Sequence, residues 1–247
     1  MKAWTRRDLT IVPLGPQDCM VIACDSCGAV GGKKGDVLAL SPRYVGKFTA
    51  RVALTEVLCS GALPVTIVNG VACEMEPTGK EIIAGIQDEL KNAGFADIVL
   101  TGSTEENFLT SMTALAVTVI GTVKTSNLKF SRAVKGDRLI LLGSPKVGSE
   151  VELESKGFYG EIHRLLSMPL VREMIPVGSR GVRHEVKALA DFGHATVKLY
   201  DTEIDYCKSA GPATCLLILC AEAAVDLVMA CCQSAALIGE VQENERV

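Results

Sequence analysis

Apolar residues recur along this chain with two periods, and the change from one to the other predicts its elements. Residues 9–14 and 19–24 read as two short strands separated by the turn-forming stretch LGPQD. The following DSCGAVGGKKGD, residues 25–36, carries glycines and charges and reads as a loop. Residues 44–60 have helical character, residues 64–73 read as a strand, and Thr78 opens a clear helix. In that helix Thr78 and Glu81 make a capping box, Ile82, Ile83, Ile86 and Leu90 form one apolar face, and Gly94 suits the position just past the end. Residues 97–101 make a short strand, GSTEEN a polar loop, and residues 112–123 a long strand of Val, Thr, Ile and Ala. The order ββαβαββ is α+β.

The polar, turn-rich KTSNLKFSRAVKGD, residues 124–137, marks a domain boundary, giving an N-terminal domain over residues 1–125 and a C-terminal domain over residues 135–247. The second half opens with a strand at 138–142. It continues through helical patterns near Glu150, at 159–166 and at 182–190, then a strand at 214–220 and a helix from Glu222. A length of 247 residues lets each domain bury its own core. With 48% hydrophobic but only 4% aromatic residues, that core is built from Val, Ile, Leu and Ala.

Charge and composition narrow the partners. The formal net charge of −4 is spread through the chain without a basic stripe, so nucleic acid is not an expected partner. The apolar run at the start ends at Pro13, too short for a secretory leader, and a cytoplasmic protein is expected. The most apolar window, ATCLLILCAEAAVDLVMACC, contains Glu222 and Asp226, each costing roughly 2.5 kcal/mol or more at mid-bilayer. It reads as a buried strand and a helix, with no membrane partner. The ten cysteines read mostly as reduced, buried thiols. Cys24 and Cys27 form one CxxC, which leaves a thiol or metal protein as an outlying reading, although His163, His184 and His194 show no ligand spacing.

Four stretches are able to carry chemistry, each with a plainer alternative. From Asp18 to Asp36, Asp18 and Asp25 bracket a strand, and small residues such as Gly28 admit a phosphate near the backbone, with Lys33 and Lys34 beyond; a hairpin and surface loop explains them as well. In VGKFTARVALTEVLCSGALP, Glu56 falls on the stripe of Val45, Phe48, Val52 and Cys59. A carboxylate there needs a partner, either magnesium or a neighbouring Lys or Arg. TGSTEEN gathers Gly102, Ser103, Thr104, Glu105 and Glu106 at a strand's carboxyl end, a common place for ligand contacts and also for a solvated turn. In GSRG, Arg180 at a helix start suits an anion, while Ser179 as a helix cap explains the same residues.

Taken together these stretches resemble the aminoimidazole ribonucleotide synthetase (PurM)-like superfamily, with thiamine-monophosphate kinase, selenophosphate synthetase and the hydrogenase-maturation protein HypE. VGKFTARVALTEVLCSGALP resembles the family helix that ends in an Asn-Asp pair and a Gly-Ala-x-Pro turn, matched by Gly61, Ala62 and Pro64. TGSTEEN resembles the Gly-Asp-Thr or Gly-Glu-Thr loop, QDCMVIACDSCG the two early aspartate sites, and AVKGDRLILLGSPKVG the opening strand of the second domain. The resemblance implies a two-domain α+β fold, an N-terminal mixed sheet that pairs in a homodimer, and a shortened C-terminal α/β domain. It also implies ATP and Mg2+ as cofactors, with Asp18, Asp25, Glu56 and Glu105 at the metal and Asp18, Asp25, Gly28, Lys33, Lys34, Gly102, Ser103 and Thr104 around the nucleotide. Three departures stand out: Val30 takes the place of the family lysine, Thr55 that of the helix asparagine, and Ser103 that of the loop carboxylate.

The activity so implied is phosphoryl transfer from ATP to an oxygen of a small molecule, as in a kinase, with α-ribazole one candidate acceptor. Its alternatives are a synthetase or cyclo-ligase that activates an amide or carbonyl oxygen, and a non-catalytic nucleotide-binding subunit, to which Ser103 and Val30 point.

Overall fold

The computed structural model describes residues 2–130 and 132–244. The chain forms two compact units, one of Met1–Leu58, Ala62–Asn127 and Leu153–Gly157, the other of Cys59–Gly61, Leu128–Glu152 and Phe158–Val247.

The first unit comprises β1 (Trp4–Arg6), β2 (Leu9–Pro13), β3 (Asp18–Gly28), β4 (Val30–Gly31), β5 (Leu38–Ala39), α1 (Pro42–Cys59), β6 (Leu63–Val71), α2 (Lys80–Asn92), β7 (Val99–Thr104) and β8 (Ala114–Lys124). Six of the strands form one sheet in the order β1-β2-β3-β8-β6-β7, antiparallel except for the parallel pair β6/β7. Strict alternation gives the sheet two faces. Leu9 and Ile11, Cys19, Val21 and Ala23, Ile67 and Val71, and Leu115, Val117 and Val119 are buried on the face that carries α1. A Cβ added to Gly121 on that face would lie 2.6 Å from Val57 of α1.

The two helices touch backbone to backbone. A Cβ at Gly46 would lie 2.0 Å from the Ile82 carbonyl oxygen, and one at Gly85 1.8 Å from that of Arg43. The buried Arg51 and Glu89 join them through two bonds of 2.6 and 3.1 Å. Arg51 also donates to the Ser155 carbonyl and hydroxyl at 2.8 and 3.0 Å, and Lys47 to the Leu153 carbonyl at 2.9 Å, which fastens residues 153–157 to this unit.

Local chemistry shifts several of the expected boundaries. The capping box does not form: α2 begins at Lys80 with no side-chain cap, after a turn over Met75–Gly79, because the Thr78 hydroxyl donates instead to Glu74 at 2.5 Å. The helix does end at Gly94, with φ +83°; Phe95 N–H donates to Leu90 O and Gly94 N–H to Lys91 O, a Schellman pair. Residues 25–28, expected in a loop, continue β3, since Asp25 to Gly28 pair in register with Val117 to Ala114. Gly102, Ser103 and Thr104 likewise belong to β7.

The second unit holds β9 (Arg138–Gly143), α3 (Tyr159–Leu166), β10 (Val171–Pro176), α4 (Gly181–Gly193), β11 (Ala195–Leu199), β12 (Cys215–Cys220), α5 (Val225–Cys231) and β13 (Ala235–Asn244). Its sheet runs β10-β12-β9-β13-β11, each neighbouring pair antiparallel. Val182, Val186 and Leu189 of α4 join Leu139, Leu141, Ile175, Leu217, Leu219, Ile238 and Val241 in its core. The pattern near Glu150 makes only a short turn over Gly148–Glu150. Among the described residues, no helix is long and apolar enough to cross a membrane.

Candidate functional site

Three strand ends meet at one edge of the first sheet. Gly28 closes β3 opposite Ala114, and Val71 closes β6 opposite Leu115 on one side and Thr104, the last residue of β7, on the other. The segments after these strands therefore emerge side by side, and a dense polar network joins them. Lys33 Nζ donates to Glu74 Oε2 at 2.5 Å and to the Thr110 carbonyl at 3.2 Å. Asp36 accepts from Lys33 N–H at 2.7 Å, and from Thr113 N–H and hydroxyl at 2.7 and 2.8 Å. Glu106 accepts from Met75 N–H at 2.8 Å and the Thr104 hydroxyl at 2.7 Å. Gly31 makes room for this, since a Cβ there would lie 2.2 Å from Thr113 Oγ1.

The electrostatics follow from these bonds. Lys33, then Thr78, holds the Glu74 carboxyl down at about 2. Burial opposes the charged Asp36, but the Thr113 and Lys33 donors outweigh it and keep its pKa below the usual carboxylate value.

A second group lies between β3 and α1. Asp25 and Cys27 continue the parity of Val21 and Ala23, so they point toward the helix. Burial pushes the Asp25 carboxyl up to about 6; the Ser26 N–H opposes this, and the negative Asp8 adds to it. Burial and then the Asp25 charge raise the Cys27 thiol, while contact with the Thr49 hydroxyl of α1 works the other way. Two turns further along α1, Glu56 is gripped by Arg7 at 3.1 and 2.8 Å, both side chains nearly buried. Of the two partners open to Glu56, the structure shows a cation of the chain itself. Arg7 sits at φ +52° in the turn between β1 and β2, next to Asp8.

The residues singled out in the sequence fall in several places. Gly28, Lys33, Lys34, Thr104 and Glu105 lie on the strand ends and loops at this edge, and Asp25 stands three residues before the end of β3, facing α1. Asp18 lies apart: it starts β3, paired with Lys124 at 2.8 Å, and seven extended residues, about 23 Å, separate it from Asp25. One ion cannot be shared by both within one copy of the chain. Ser103 pairs in register with Gly70, beside Val68 and Thr101, and so points to the face opposite Asp25. Gly102 is filled by the fold itself, because a Cβ there would lie 2.1 Å from the Asn69 carbonyl oxygen. Glu105 folds back onto the N–H groups of Asn107 and Phe108 at 2.7 and 3.1 Å.

Cys24 and Cys27, three residues apart on a strand, point to opposite faces, and this separation speaks against a chelating CxxC. Ser179 is not the cap of α4; Arg180 takes that position, without a side-chain cap bond. Asp36, Glu74, Thr113 and Arg7 were not singled out as ligand contacts by pattern. Glu74 in particular sits in CEMEP, whose only sequence signal is a threonine four residues later.

Among the described residues no three His, Cys, Asp or Glu side chains converge on one point to enclose a metal. A magnesium ion needs less, because one or two carboxylates with water and substrate phosphates suffice. Asp25 fits that requirement: it is largely withdrawn from water, lies beside another carboxylate, and has no cation bonded to it among the described residues.

Residues 6–123 match the family described as AIR synthase related protein, N-terminal domain. A sequence search of curated proteins finds no match. Among solved structures, T. maritima PurL complexed with ATP shares 14% identity and a TM-score of 0.69, over 95% of this chain and 42% of the PurL chain. E. coli HypE shares 18% identity and a TM-score of 0.71, over 92% of this chain and 80% of HypE. A chain of the HypE-HypF complex shares 15% identity and a TM-score of 0.71, over 95% of this chain and 87% of that one. The chain thus spans well under half the length of PurL, and identities this low speak to fold alone. PurL was also solved with ADP and with AMPPCP. Residues 6–123 thus form an AIR synthase-related N-terminal domain, and nearly the whole chain shares the fold of PurL and HypE.

Proposed function

We propose that this chain binds ATP with Mg2+ at the joined ends of β3, β6 and β7, and transfers the terminal phosphoryl group to an oxygen of a small molecule. The observation that carries the reading is Asp25, a carboxyl kept largely out of water beside Asp8, with no cation bonded to it among the described residues, at the edge where glycine-bearing and hydroxyl-bearing loops converge. Such a carboxylate is stabilised by a divalent cation, and the metal in turn neutralises phosphate charge. The chain's own part is positioning: Asp25 holds the metal, the open backbone at Gly28 and Gly32 lets phosphate approach, and the exposed Lys34 of that loop supplies positive charge. That T. maritima PurL is solved with ATP, ADP and AMPPCP supports the choice of nucleotide.

Two further parts of the reading rest on other features. On the sheet face opposite α1, Met20, Ile22, Val68, Thr118 and Ile120 form an apolar surface that suits a second copy, and we read the protein as a homodimer. The pairing of Glu56 with Arg7 and the serine at position 103 favour, as a second reading, a subunit that binds nucleotide without turning it over.

The test is Mg2+-dependent ADP release by wild type and Asp25→Asn, against a panel of nucleosides (α-ribazole among them), vitamin precursors, and amides paired with amine acceptors. Release stimulated by one hydroxyl compound and lost in the variant supports the kinase; release requiring an amine moves the assignment to a synthetase. Tight MgADP binding without release across the panel leaves the binding subunit, and no nucleotide binding at all sinks the reading. Light scattering at micromolar concentration checks the dimer, a monomer being the adverse result.

A further inference from the structure

The loop after β3 carries two adjacent lysines that differ in every physical respect. Lys33 is mostly buried, bonded to Glu74 at 2.5 Å and to the Thr110 carbonyl at 3.2 Å. Lys34 is exposed and has no side-chain partner among the described residues. Glu74 spends its second oxygen on Thr78, so Lys33 and Thr78 hold both ends of one carboxylate. Behind Lys33, its own N–H is tied to Asp36 and Asp36 to Thr113, while Gly35 N–H donates to the Ser111 carbonyl at 2.8 Å. The Lys33 to Glu74 contact thus joins the segment after β6 to the segments after β3 and before β8, the latter also being reached by the Cys73 thiol, which donates to the Met112 carbonyl at 3.6 Å.

We propose that Glu74 is a positioning residue of the nucleotide site: it immobilises Lys33 as a clamp across three segments and so leaves Lys34 as the loop's available cation. The inference rests on the nucleotide reading for its ligand and on the bond network alone for the clamp. A charge-assisted bond at this distance is among the strongest a side chain makes, and Lys33 has no second carboxylate within bonding distance among the described residues. Releasing it frees the loop rather than a better ligand.

Two measurements test this. MgADP affinity is read by calorimetry for wild type, Glu74→Gln, Lys33→Met, Lys34→Met and the double variant Glu74→Gln/Lys34→Met. Lys34→Met is expected to weaken binding about tenfold in the wild-type background. Glu74→Gln, which keeps an acceptor for Thr78, is also expected to weaken it, and adding Lys34→Met to it should then cost less than about twofold, since an unplaced loop no longer presents Lys34. Lys33→Met should behave like Glu74→Gln. A merely stabilising role for Glu74 leaves the cost of Lys34→Met the same in both backgrounds, and a direct phosphate role for Lys33 makes Glu74→Gln bind more tightly; either result overturns the proposal.

Hydrogen exchange of the free protein supplies the second readout. Amides of residues 31–36 and 110–113 should lose protection in Glu74→Gln and in Lys33→Met while those of β3 and β8 keep theirs. Unchanged exchange in the loops defeats the clamp whether or not nucleotide binds. Should wild type fail to bind MgADP, the ligand reading falls, and the exchange data alone decide the clamp.

Discussion

Asp25→Asn should make the protein more stable at neutral pH, and the gain should depend on pH in a fixed direction. Folding raises this carboxyl from 3.8 to about 6. The unfolded chain therefore gives up its proton first, and between these values the native state holds more protons than the unfolded one. A raised carboxyl pKa lowers stability as pH rises. The penalty is absent below about pH 3.8 and complete above about pH 6, reaching about 3 kcal/mol at 1.36 kcal/mol per tenfold change in the proton equilibrium. Asparagine keeps the shape without the charge. Urea denaturation in EDTA at a series of pH values, with wild type and variant compared at each, isolates the effect together with its coupling to Asp8, because the carboxylates not coupled to Asp25 titrate alike in both proteins and cancel in the difference. The variant should gain little near pH 4 and on the order of 3 kcal/mol at pH 7.5. A constant difference across that range, or a variant less stable at pH 7.5, refutes the claim that Asp25 is charged at a cost. Removing the same side chain should abolish Mg2+-dependent turnover, so a gain in stability with a loss of activity is the joint signature of a ligand residue.

Three other outcomes follow from the structure. Arg51→Met or Glu89→Leu alone strands a buried charge and should cost about 3–5 kcal/mol in urea denaturation, whereas the double variant should recover most of it; a double loss equal to the sum of the singles counts against the pairing. Gly85→Ala places a Cβ 1.8 Å from the Arg43 carbonyl oxygen and must push α1 and α2 apart, lowering stability by roughly 1–3 kcal/mol, while Gly94→Ala meets no atom and strains only the backbone. Glu74, held at about 2 by Lys33, stabilises the fold fully above pH 4.5 and loses that contribution as pH falls toward 2. Glu74→Gln should flatten this acid limb, and an unaltered limb in the variant denies the pair a role in stability.

How far the sequence speaks depends on whether an element's signal is local. Helix α2 shows its apolar face and its glycine end in the chain, and its Schellman bonds form as that pattern predicts. Its start is misread because Thr78 has a competing acceptor in Glu74, a choice that no spacing rule ranks. The segment DSCG continues β3 although its residues look like a loop, since its ladder partner, Ala114 to Val117, is supplied from about ninety residues away. The same non-locality hides β10, β11 and β13. Their residues include Arg172, Glu173, Lys198 and Glu240, and burial against neighbouring strands, not alternation, makes them strands.

The candidate site shows the same division, and strand parity explains it. Asp18 and Asp25 are both acidic and both on β3, yet an odd separation of seven residues puts them on opposite faces as well as at opposite ends. Asp18 reaches solvent and meets Lys124, while Asp25 turns toward α1 and is desolvated. Glu56 shares the helix side but finds Arg7, delivered by a turn 49 residues earlier in the chain. In the sequence Glu56 is visible as a carboxylate needing a partner, and Asp18 and Asp25 only as acidic positions bracketing a strand. Which partner each found was set by contacts between distant segments, and among the described residues Asp25 alone of the three has no cation of the chain bonded to it. That inequality, more than the number of acidic residues, is what supports the proposed metal and phosphate site at this strand end and makes Asp25 the first residue to change.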